Sequence, residues 1–248
     1  MDWEKDVTIC CLKQGEKYGP DWVNRLYRMV QNTGQLIGFS FVCFTDDTEG
    51  IDPWIQTEPL PYDALGWWGK MGLYMPALPG VETRRILYLD LDVVITGDLH
   101  KMLELKTDFA IMRDYPSAQF GDNTFTGRQG NTSVILLTVG SHTEIWDGYM
   151  DELIGERKHL HWGDQEWLNM RFPGVFDRLP EEWVQSYKLH FLQDEFPKKC
   201  MVVAFHGEPK PCDCEGWVKE LWGGILMKEK VTIGRAGLEL LYDARDRG

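Results

Sequence analysis

The sequence is poor in basic residues for its length. Lys and Arg together number 26 against 39 Asp and Glu, which gives the 248 residues a formal net charge of −13 at pH 7. Proteins that hold nucleic acids by releasing counterions present strongly basic surfaces. The charge balance therefore argues against a nucleic acid as the partner.

Long apolar runs are also missing. No uninterrupted hydrophobic stretch approaches the roughly 20 residues that a membrane-spanning helix needs. Residues 1–6, MDWEKD, have neither the basic region nor the apolar region of a signal peptide. We therefore expect a cytoplasmic protein without a transmembrane segment.

Six cysteines in a chain of this length do not form the disulfide framework of a small secreted protein. Three of them, Cys10, Cys11 and Cys43, fall within predicted strands. We interpret these three as buried thiols.

The hydrophobic content, 43% of the residues, is sufficient for the core of one large domain. Residues 7–12 are typical of a strand, Pro20 opens a helix, and residues 37–45 are typical of a second strand. This alternation indicates an α/β fold. We expect a single domain over residues 1–248, in which residues 215–248 form a C-terminal helix and tail.

The most informative stretch is residues 85–95, whose apolar and polar positions alternate as in a strand. One face carries Leu87, Leu89, Leu91 and Val93, and the other carries Tyr88, Asp90, Asp92 and Val94. An unpaired buried carboxylate is costly, so the two aspartates are expected where the strand leaves its sheet. Two adjacent carboxylates also favour a cation between them, and Mg²⁺ or Mn²⁺ prefers such oxygen ligands. The alternative is a structural one, in which one aspartate caps the next helix and the other is solvated.

Further polar residues stand at the predicted ends of helices and strands. Lys70 is the only cation in the short helix predicted from residue 66, although a lone lysine is often simply solvated. Asp164 opens a predicted helix, where it is a candidate either for catalysis or for an N-cap. The irregular stretch 113–130 is interpreted as a functional loop on the acceptor side of the site.

Four sequence blocks, taken in order, resemble the glycosyltransferases of GT-A fold, most closely family 8, the group of glycogenin and the bacterial lipopolysaccharide galactosyltransferases. The blocks are DLD at 90–92, NTSV at 131–134, DQEWLN at 164–169 and HGEPKP at 206–211. The resemblance covers roughly residues 5–215. It implies a Rossmann-like fold with a mixed, mostly parallel central sheet.

The resemblance also implies a function and a set of roles. The activity would be transfer of a sugar from a nucleotide-diphosphate donor, most plausibly a UDP-sugar, with Mn²⁺ or Mg²⁺ as cofactor and with retention of the anomeric configuration. The implied metal ligands are Asp90, Asp92 and His206. The implied donor-binding residues are Lys70, Asp90, Asn131 and Lys210, and the implied catalytic residues beside the anomeric carbon are Asp164 and Gln165. The acceptor is left open among a saccharide, a lipid-linked glycan, a protein, a small molecule and a modified nucleobase.

The sequence departs from the family pattern at two positions. Ala204 stands where the family has its metal-binding histidine, and His206 directly precedes Gly207 instead. If the strand continues, residues 204 and 206 share a face. Cys212 stands where a tryptophan usually follows the Lys-Pro pair.

Two other functional classes remain open from the sequence. One is a phosphohydrolase of haloacid-dehalogenase type, in which the first aspartate of the Asp-x-Asp is the nucleophile. In that class the strand carrying the aspartates usually comes first in its domain, whereas here an α/β pattern precedes it. The other is a non-catalytic module that binds a nucleotide sugar.

Overall fold

The computed structural model describes residues 6–36, 39–64, 66–114, 130–154, 163–191 and 196–224. Seven strands form the main sheet: β1 (Val7–Lys13), β2 (Ser40–Thr45), β3 (Gln56–Glu58), β4 (Arg85–Leu89), β6 (Phe109–Arg113), β7 (Gly130–Thr138) and β8 (Asp177–Arg178). Three short strands form a second sheet: β5 (Val93–Ile95), β9 (Val184–Ser186) and β10 (Val202–Ala204). The strand orders are β3-β2-β1-β4-β7-β6-β8 and β5-β10-β9.

The main sheet is mixed and mostly parallel, as predicted. Strand β1 pairs in parallel with both β2 and β4, and β8 pairs in parallel with β6. Strand β7 lies between β4 and β6 and is antiparallel to both. Among the seven described strands of this sheet, β7 alone is therefore reversed.

Helices cover both faces of this sheet. They are α1 (Pro20–Asn32), α2 (His100–Leu103), α3 (Thr143–Ile154), α4 (Asp164–Arg171), α5 (Tyr187–His190) and α6 (Gly216–Trp222), together with 3₁₀ segments at Gly66–Tyr74 and Pro211–Asp213. Helix α1 begins with Pro20, whose fixed φ suits a first helical turn, and it buries Val23, Leu26 and Met29 against the sheet. Helices α3 and α4 pack on the opposite face.

The alternation predicted for residues 85–95 is confirmed only for its first half. Leu87 and Leu89 face the apolar cluster beneath α1, whereas Ile86 and Tyr88 face the cluster beneath α3. The strand then ends at Leu89, residues 90–92 turn, and the chain continues as β5 in the second sheet, antiparallel to β10. The prediction of one continuous strand is wrong, but the aspartates do lie where β4 leaves its sheet.

Other boundaries shift by a few residues. Strand β2 begins at Ser40 instead of residue 37, and β10 ends at Ala204 and does not continue to residue 206. Because β10 ends there, the argument that residues 204 and 206 share a strand face does not apply. The proposed acceptor-side loop 113–130 lies largely outside the described residues, as does the tail beyond residue 224.

Within the described part of the chain, no helix combines the length and the apolar character required to cross a membrane. Cys10, Cys11 and Cys43 are fully buried free thiols, as predicted.

Candidate active site

An open cleft of about 270 Å³ lies at the edge of the main sheet where β1 and β4 end. Its lining comes from the loop after β1, the 3₁₀ segment Gly66–Tyr74 and the turn after β4: Leu12, Gln14, Lys17, Tyr18, Gly66, Trp67, Lys70, Tyr88, Asp90, Leu91 and Asp92. The carboxyl ends of neighbouring parallel strands meet at one sheet edge, which is a common position for ligands in α/β folds. The fold thus brings Lys70 and both aspartates of the DLD block into one cavity.

Lys70 and Asp90 form a close ion pair in this cleft. The Lys70 Nζ atom lies 2.8 Å from Asp90 Oδ1, which also accepts a 2.7 Å hydrogen bond from the Tyr88 hydroxyl. Burial alone would raise the pKa of the Asp90 carboxyl, but Lys70 and Tyr88 together lower it. Burial opposes the charge of Lys70 as well, yet Asp90 and Asp164 raise its pKa overall. Both groups are therefore charged near neutral pH.

Asp92 makes an equivalent pair with a lysine from a distant part of the chain. The Lys210 Nζ atom lies 2.6 Å from Asp92 Oδ2, and the Tyr18 hydroxyl donates a 2.8 Å hydrogen bond to the same oxygen. Burial, together with the charge of Asp92, raises the pKa of Tyr18, so the hydroxyl keeps its proton. Both lysines that the resemblance assigns to the donor diphosphate are thus bonded to the two aspartates that it assigns to the metal.

Asp164 lies deep beside this cleft at the start of α4. The Thr132 hydroxyl donates a 2.7 Å hydrogen bond to its Oδ2 atom, and Lys70 Nζ lies 4.0 Å from the same oxygen. Burial raises the pKa of Asp164, although Lys70 and Thr132 act in the opposite direction. Gly163 is the N-cap of α4, so the N-cap interpretation of Asp164 is wrong. Gln165 follows on the same helix and is half-buried.

The side chains of Asn131 and His206 lie close to each other. His206 Nδ1 lies 3.5 Å from Asn131 Nδ2, and the Asn131 side-chain oxygen accepts a 2.8 Å hydrogen bond from the Ser133 N–H. Burial lowers the pKa of His206, against the opposing effect of Asp92 and Asp90. The imidazole is therefore neutral at pH 7, the form that binds metal ions.

The metal site implied by the resemblance can be compared with this geometry. Two carboxylates and a neutral imidazole are suitable ligands for Mn²⁺ or Mg²⁺, and His206 lies close enough to Asp90 and Asp92 to be influenced by both charges. Across the described ranges, however, no three His, Cys, Asp or Glu side chains are grouped as a metal site. The donor chemistry fits a divalent cation, while the carboxylates are paired with lysines.

Two side chains in the site were not identified from the sequence. Tyr18 reaches Asp92 across 74 residues, and Thr132 reaches Asp164 across 32 residues. A tyrosine and a threonine carry no distinctive spacing on their own. Only the position of Thr132 inside the NTSV block gave a signal for its importance.

Comparisons with known proteins were made for sequence and for structure. No protein-family model matches the chain. The chain is 26% identical over 155 residues to the glycosyltransferase GlyF of Streptococcus pneumoniae serotype 4, an alignment that covers 57% of this chain and 38% of GlyF.

Solved structures give matches over most of the chain. The glycosyltransferase GlyE of Streptococcus pneumoniae TIGR4 matches with a TM-score of 0.61 and 18% identity, covering 89% of this chain and 61% of GlyE. The galactosyltransferase LgtC, solved in complex with donor and acceptor sugar analogs, matches with a TM-score of 0.62 and 13% identity, covering 90% of this chain and 98% of LgtC.

The chain has the GT-A fold. The predicted resemblance to the GT-A glycosyltransferases of family 8 is confirmed as a distant one. The chain spans 38% of GlyF and 61% of GlyE, so it corresponds to only part of each of these two relatives.

Proposed function

We propose that the protein is a metal-dependent glycosyltransferase that takes a sugar from a nucleotide-diphosphate donor, with UDP-sugars as the favoured class, and retains the anomeric configuration. One observation carries this proposal: two lysine–aspartate pairs, Lys70–Asp90 and Lys210–Asp92, meet at the ligand-binding edge of a GT-A fold. The sequence similarity to GlyF supports the same activity.

The lysines provide the electrostatic part of the reaction. Breaking the bond between the sugar and the diphosphate leaves negative charge on the departing oxygen. Lys70 and Lys210 are each paired with a carboxylate that lines the cleft, so each is available to exchange that carboxylate for a phosphate oxygen. Positive groups fixed in advance stabilise developing charge without reorganisation during the reaction.

Asp90, Asp92 and His206 are the residues that would hold the divalent cation. The bound cation supplies Lewis-acid stabilisation of the leaving diphosphate. Tyr18 donates to Asp92 and thereby fixes the orientation of one carboxylate in this set.

Asp164 and Gln165 act at the sugar. Cleavage at the anomeric carbon creates positive character there, which a nearby carboxylate or amide oxygen stabilises. The Thr132 hydroxyl and the Lys70 ammonium both lie near the Oδ2 atom of the Asp164 carboxylate. Gln165, the next residue of α4, is half-buried, and its amide is assigned to the same role, while Asn131 is assigned to the donor sugar.

The phosphohydrolase alternative is not supported by the fold. In that class the aspartates usually follow the first strand of the domain, whereas Asp90 follows β4, which is preceded by three strands and α1. A non-catalytic binding module would have the same fold, so only a measurement of turnover distinguishes it from an enzyme.

The test combines ligand-induced stabilisation with donor hydrolysis. UDP, GDP, ADP and their common sugars are screened with and without Mn²⁺ in thermal melts. A ligand at about 100 times its dissociation constant stabilises a fold by about 2.7 kcal/mol, which corresponds to roughly 5–10 °C for a chain of this size. We expect such a shift for UDP-sugars with Mn²⁺, accompanied by slow release of free sugar.

Asp92→Asn is the informative variant, because it should lose the Mn²⁺-dependent shift while keeping its fold. Asp147→Asn is the matched control, since Asp147 is exposed on α3 away from the cleft. An unchanged Mn²⁺-dependent shift in Asp92→Asn would refute the metal assignment. A shift without any sugar release, even with candidate acceptors present, would support the binding module instead.

Three parts of the proposal stay predictions. They are the single domain over residues 1–248, the cytoplasmic location, and an acceptor that is a saccharide, a lipid-linked glycan, a protein, a small molecule or a modified nucleobase, with a nucleic acid the less favoured partner.

A further inference from the structure

One edge of the second sheet brings three distant segments together. Strands β9 and β10 are parallel, so their carboxyl ends lie at the same edge, and β5 begins there because Val93 pairs with Ala204. Asp92 directly precedes β5, His206 follows β10, and Lys188 follows β9 on α5. The sheet therefore places a lysine to which the resemblance gives no role at the same edge as two of the implied metal ligands.

The Lys188 ammonium lies close to the turn that follows His206. A Cβ atom added at Gly207 would lie 3.3 Å from Lys188 Nζ, and Gly207 has φ +65°, a conformation that favours glycine. The charge of Lys188 also reaches the imidazole. Burial is the main cause that lowers the pKa of His206, and Lys188 is one of two lysines that lower it further. Lys188 is thus close to both residues of the turn.

Lys188 differs from the other two lysines of the site in its partners. Lys70 and Lys210 are each bonded to an aspartate. Lys188 is exposed and, among the residues that the structure describes, makes neither an ion pair nor a side-chain hydrogen bond. Its ammonium can therefore receive an anion without first giving up a carboxylate.

The chemistry of this edge indicates which anion it receives. A lysine ammonium is a compact charge with three N–H donors, which suits a phosphate oxygen. In a chain with a net charge of −13, an unpaired cation at the site also reduces the repulsion of an incoming anion. Asn131, which is assigned to the donor sugar, has its Nδ2 atom 3.5 Å from His206 Nδ1. The phosphate nearest to this edge is therefore the one that carries the sugar.

We propose that Lys188 is a third donor-binding lysine, which contacts the distal phosphate of the nucleoside diphosphate from the side of His206. The inference deepens the proposed function and rests on it, because that function brings a diphosphate to this edge. Lys188 attracts the donor before the two paired lysines exchange partners. It then helps to stabilise the negative charge that the distal phosphate gains when the sugar leaves.

The experiment compares a nucleoside diphosphate with its monophosphate. Among UDP, GDP and ADP, the one that binds the wild type most tightly is titrated calorimetrically with Mn²⁺ present, followed by the matching monophosphate, which lacks the distal phosphate. Lys188→Met removes the charge and keeps most of the chain length. We expect the Kd of the diphosphate to rise about fivefold, equivalent to about 1 kcal/mol, and the Kd of the monophosphate to change less than about twofold.

Salt and two further variants separate charge from structure. The difference between the wild type and Lys188→Met should fall below about twofold when NaCl is raised from about 50 mM to about 500 mM, because salt screens an exposed charge. Lys188→Arg keeps the charge and should bind the diphosphate within about twofold of the wild type. Lys198→Met removes another exposed lysine, on the segment that leads into β10, and should change nothing.

The outcomes for Lys188 and for the proposed function differ. An unchanged Kd for the diphosphate in Lys188→Met, an equal loss for the monophosphate, or a loss that does not respond to salt would each overturn the role of Lys188, while sugar release by the wild type would still support the proposed function. A loss specific to the diphosphate in a protein that releases no sugar would support Lys188 and count against the proposed function alone. A wild type that binds no nucleoside diphosphate with Mn²⁺ would contradict both.

Discussion

The buried position of the Asp164 carboxylate reduces the stability of the folded protein. Burial raises its pKa, and the bond from Thr132 and the charge of Lys70 reduce that effect without cancelling it. An acid with a raised folded-state pKa binds its proton more tightly in the folded protein. Its contribution to stability is therefore complete below the unfolded pKa of about 3.9 and is lost as the pH rises through the folded pKa.

Replacing Asp164 with Asn should remove the loss of folding stability that accompanies ionisation of this carboxyl. The amide oxygen still accepts the hydrogen bond from Thr132, and Lys70 still has Asp90 as its partner. At pH 7 we expect Asp164→Asn to melt about 2 °C or more above the wild type, while turnover falls about 100-fold. The difference in melting temperature between Asp164→Asn and the wild type should shrink toward zero near pH 4.

Thermal melts between pH 4 and pH 8 measure the difference between the two proteins. Asp147→Asn, an exposed replacement on α3, is the control and should show no pH-dependent difference. If Asp164→Asn were less stable than the wild type at pH 7, the contacts of the carboxylate would outweigh the cost of burying it.

Some residues of the site could be identified from the sequence more readily than others. Asp90 and Asp92 could be predicted because they interrupt an apolar alternation, and a buried strand cannot continue through two carboxylates. Lys210 could be assigned only through the resemblance, since its contact with Asp92 spans 118 residues. Trp67 was one of eleven tryptophans, and nothing local distinguishes this exposed indole from the partly buried indole of Trp68 beside it.

At the scale of elements, the short helix α4 depends on its neighbours for its position. On one side, Glu152 of α3 accepts a 3.0 Å hydrogen bond from Trp167 Nε1 and lies 2.5 Å from Arg171 Nε. On the other side, Asn169 makes two 2.8 Å hydrogen bonds to the backbone of Gly130, at the start of β7. These contacts hold the helix that carries Asp164 and Gln165.

Glu152→Ala should loosen this helix. Glu152 is 7% exposed, and its loss leaves the buried Trp167 indole N–H without its acceptor. We expect a destabilisation of about 2–3 kcal/mol and a several-fold lower turnover. Glu152→Gln keeps a hydrogen-bond acceptor for Trp167 and should lose less folding stability and less turnover.

Urea denaturation followed by circular dichroism measures the change. Asp151→Ala, on the exposed side of the same helix, is the matched control and should stay within about 0.5 kcal/mol of the wild type. Equal effects of Glu152→Ala and Asp151→Ala would show that the contacts to α4 contribute nothing measurable.

Elements with a clear local start signal could be predicted to within a few residues, and α1, which begins at Pro20 as predicted, is an example. Strand β5 could not. Residues 93–95 continue the alternation of residues 85–89, and only pairing with β10, more than 100 residues away, places them in a different sheet. Local pattern indicates that a segment is extended, whereas the partner strand is determined by the rest of the chain.

The whole molecule is organised by one sheet between two apolar clusters. One cluster contains Leu26 of α1 and the other contains Ile145 of α3, and both side chains are fully buried. Strand β4 contributes alternate residues to each cluster, so the two clusters share the same backbone. If the chain is a single domain, damage on either face should weaken the same cooperative unit.

Leu26→Ala and Ile145→Ala test this prediction from opposite faces. Each removes a buried aliphatic side chain and should cost about 2–5 kcal/mol. Urea unfolding is followed by circular dichroism and by tryptophan fluorescence. Each variant should show a single unfolding transition by both methods, with its midpoint at a lower urea concentration and an unchanged dependence of the unfolding free energy on urea. Leu189→Ala, at a side chain that is 57% exposed, should shift it very little. Two separate transitions, each moved by only one variant, would instead divide the chain into two units and contradict the single domain.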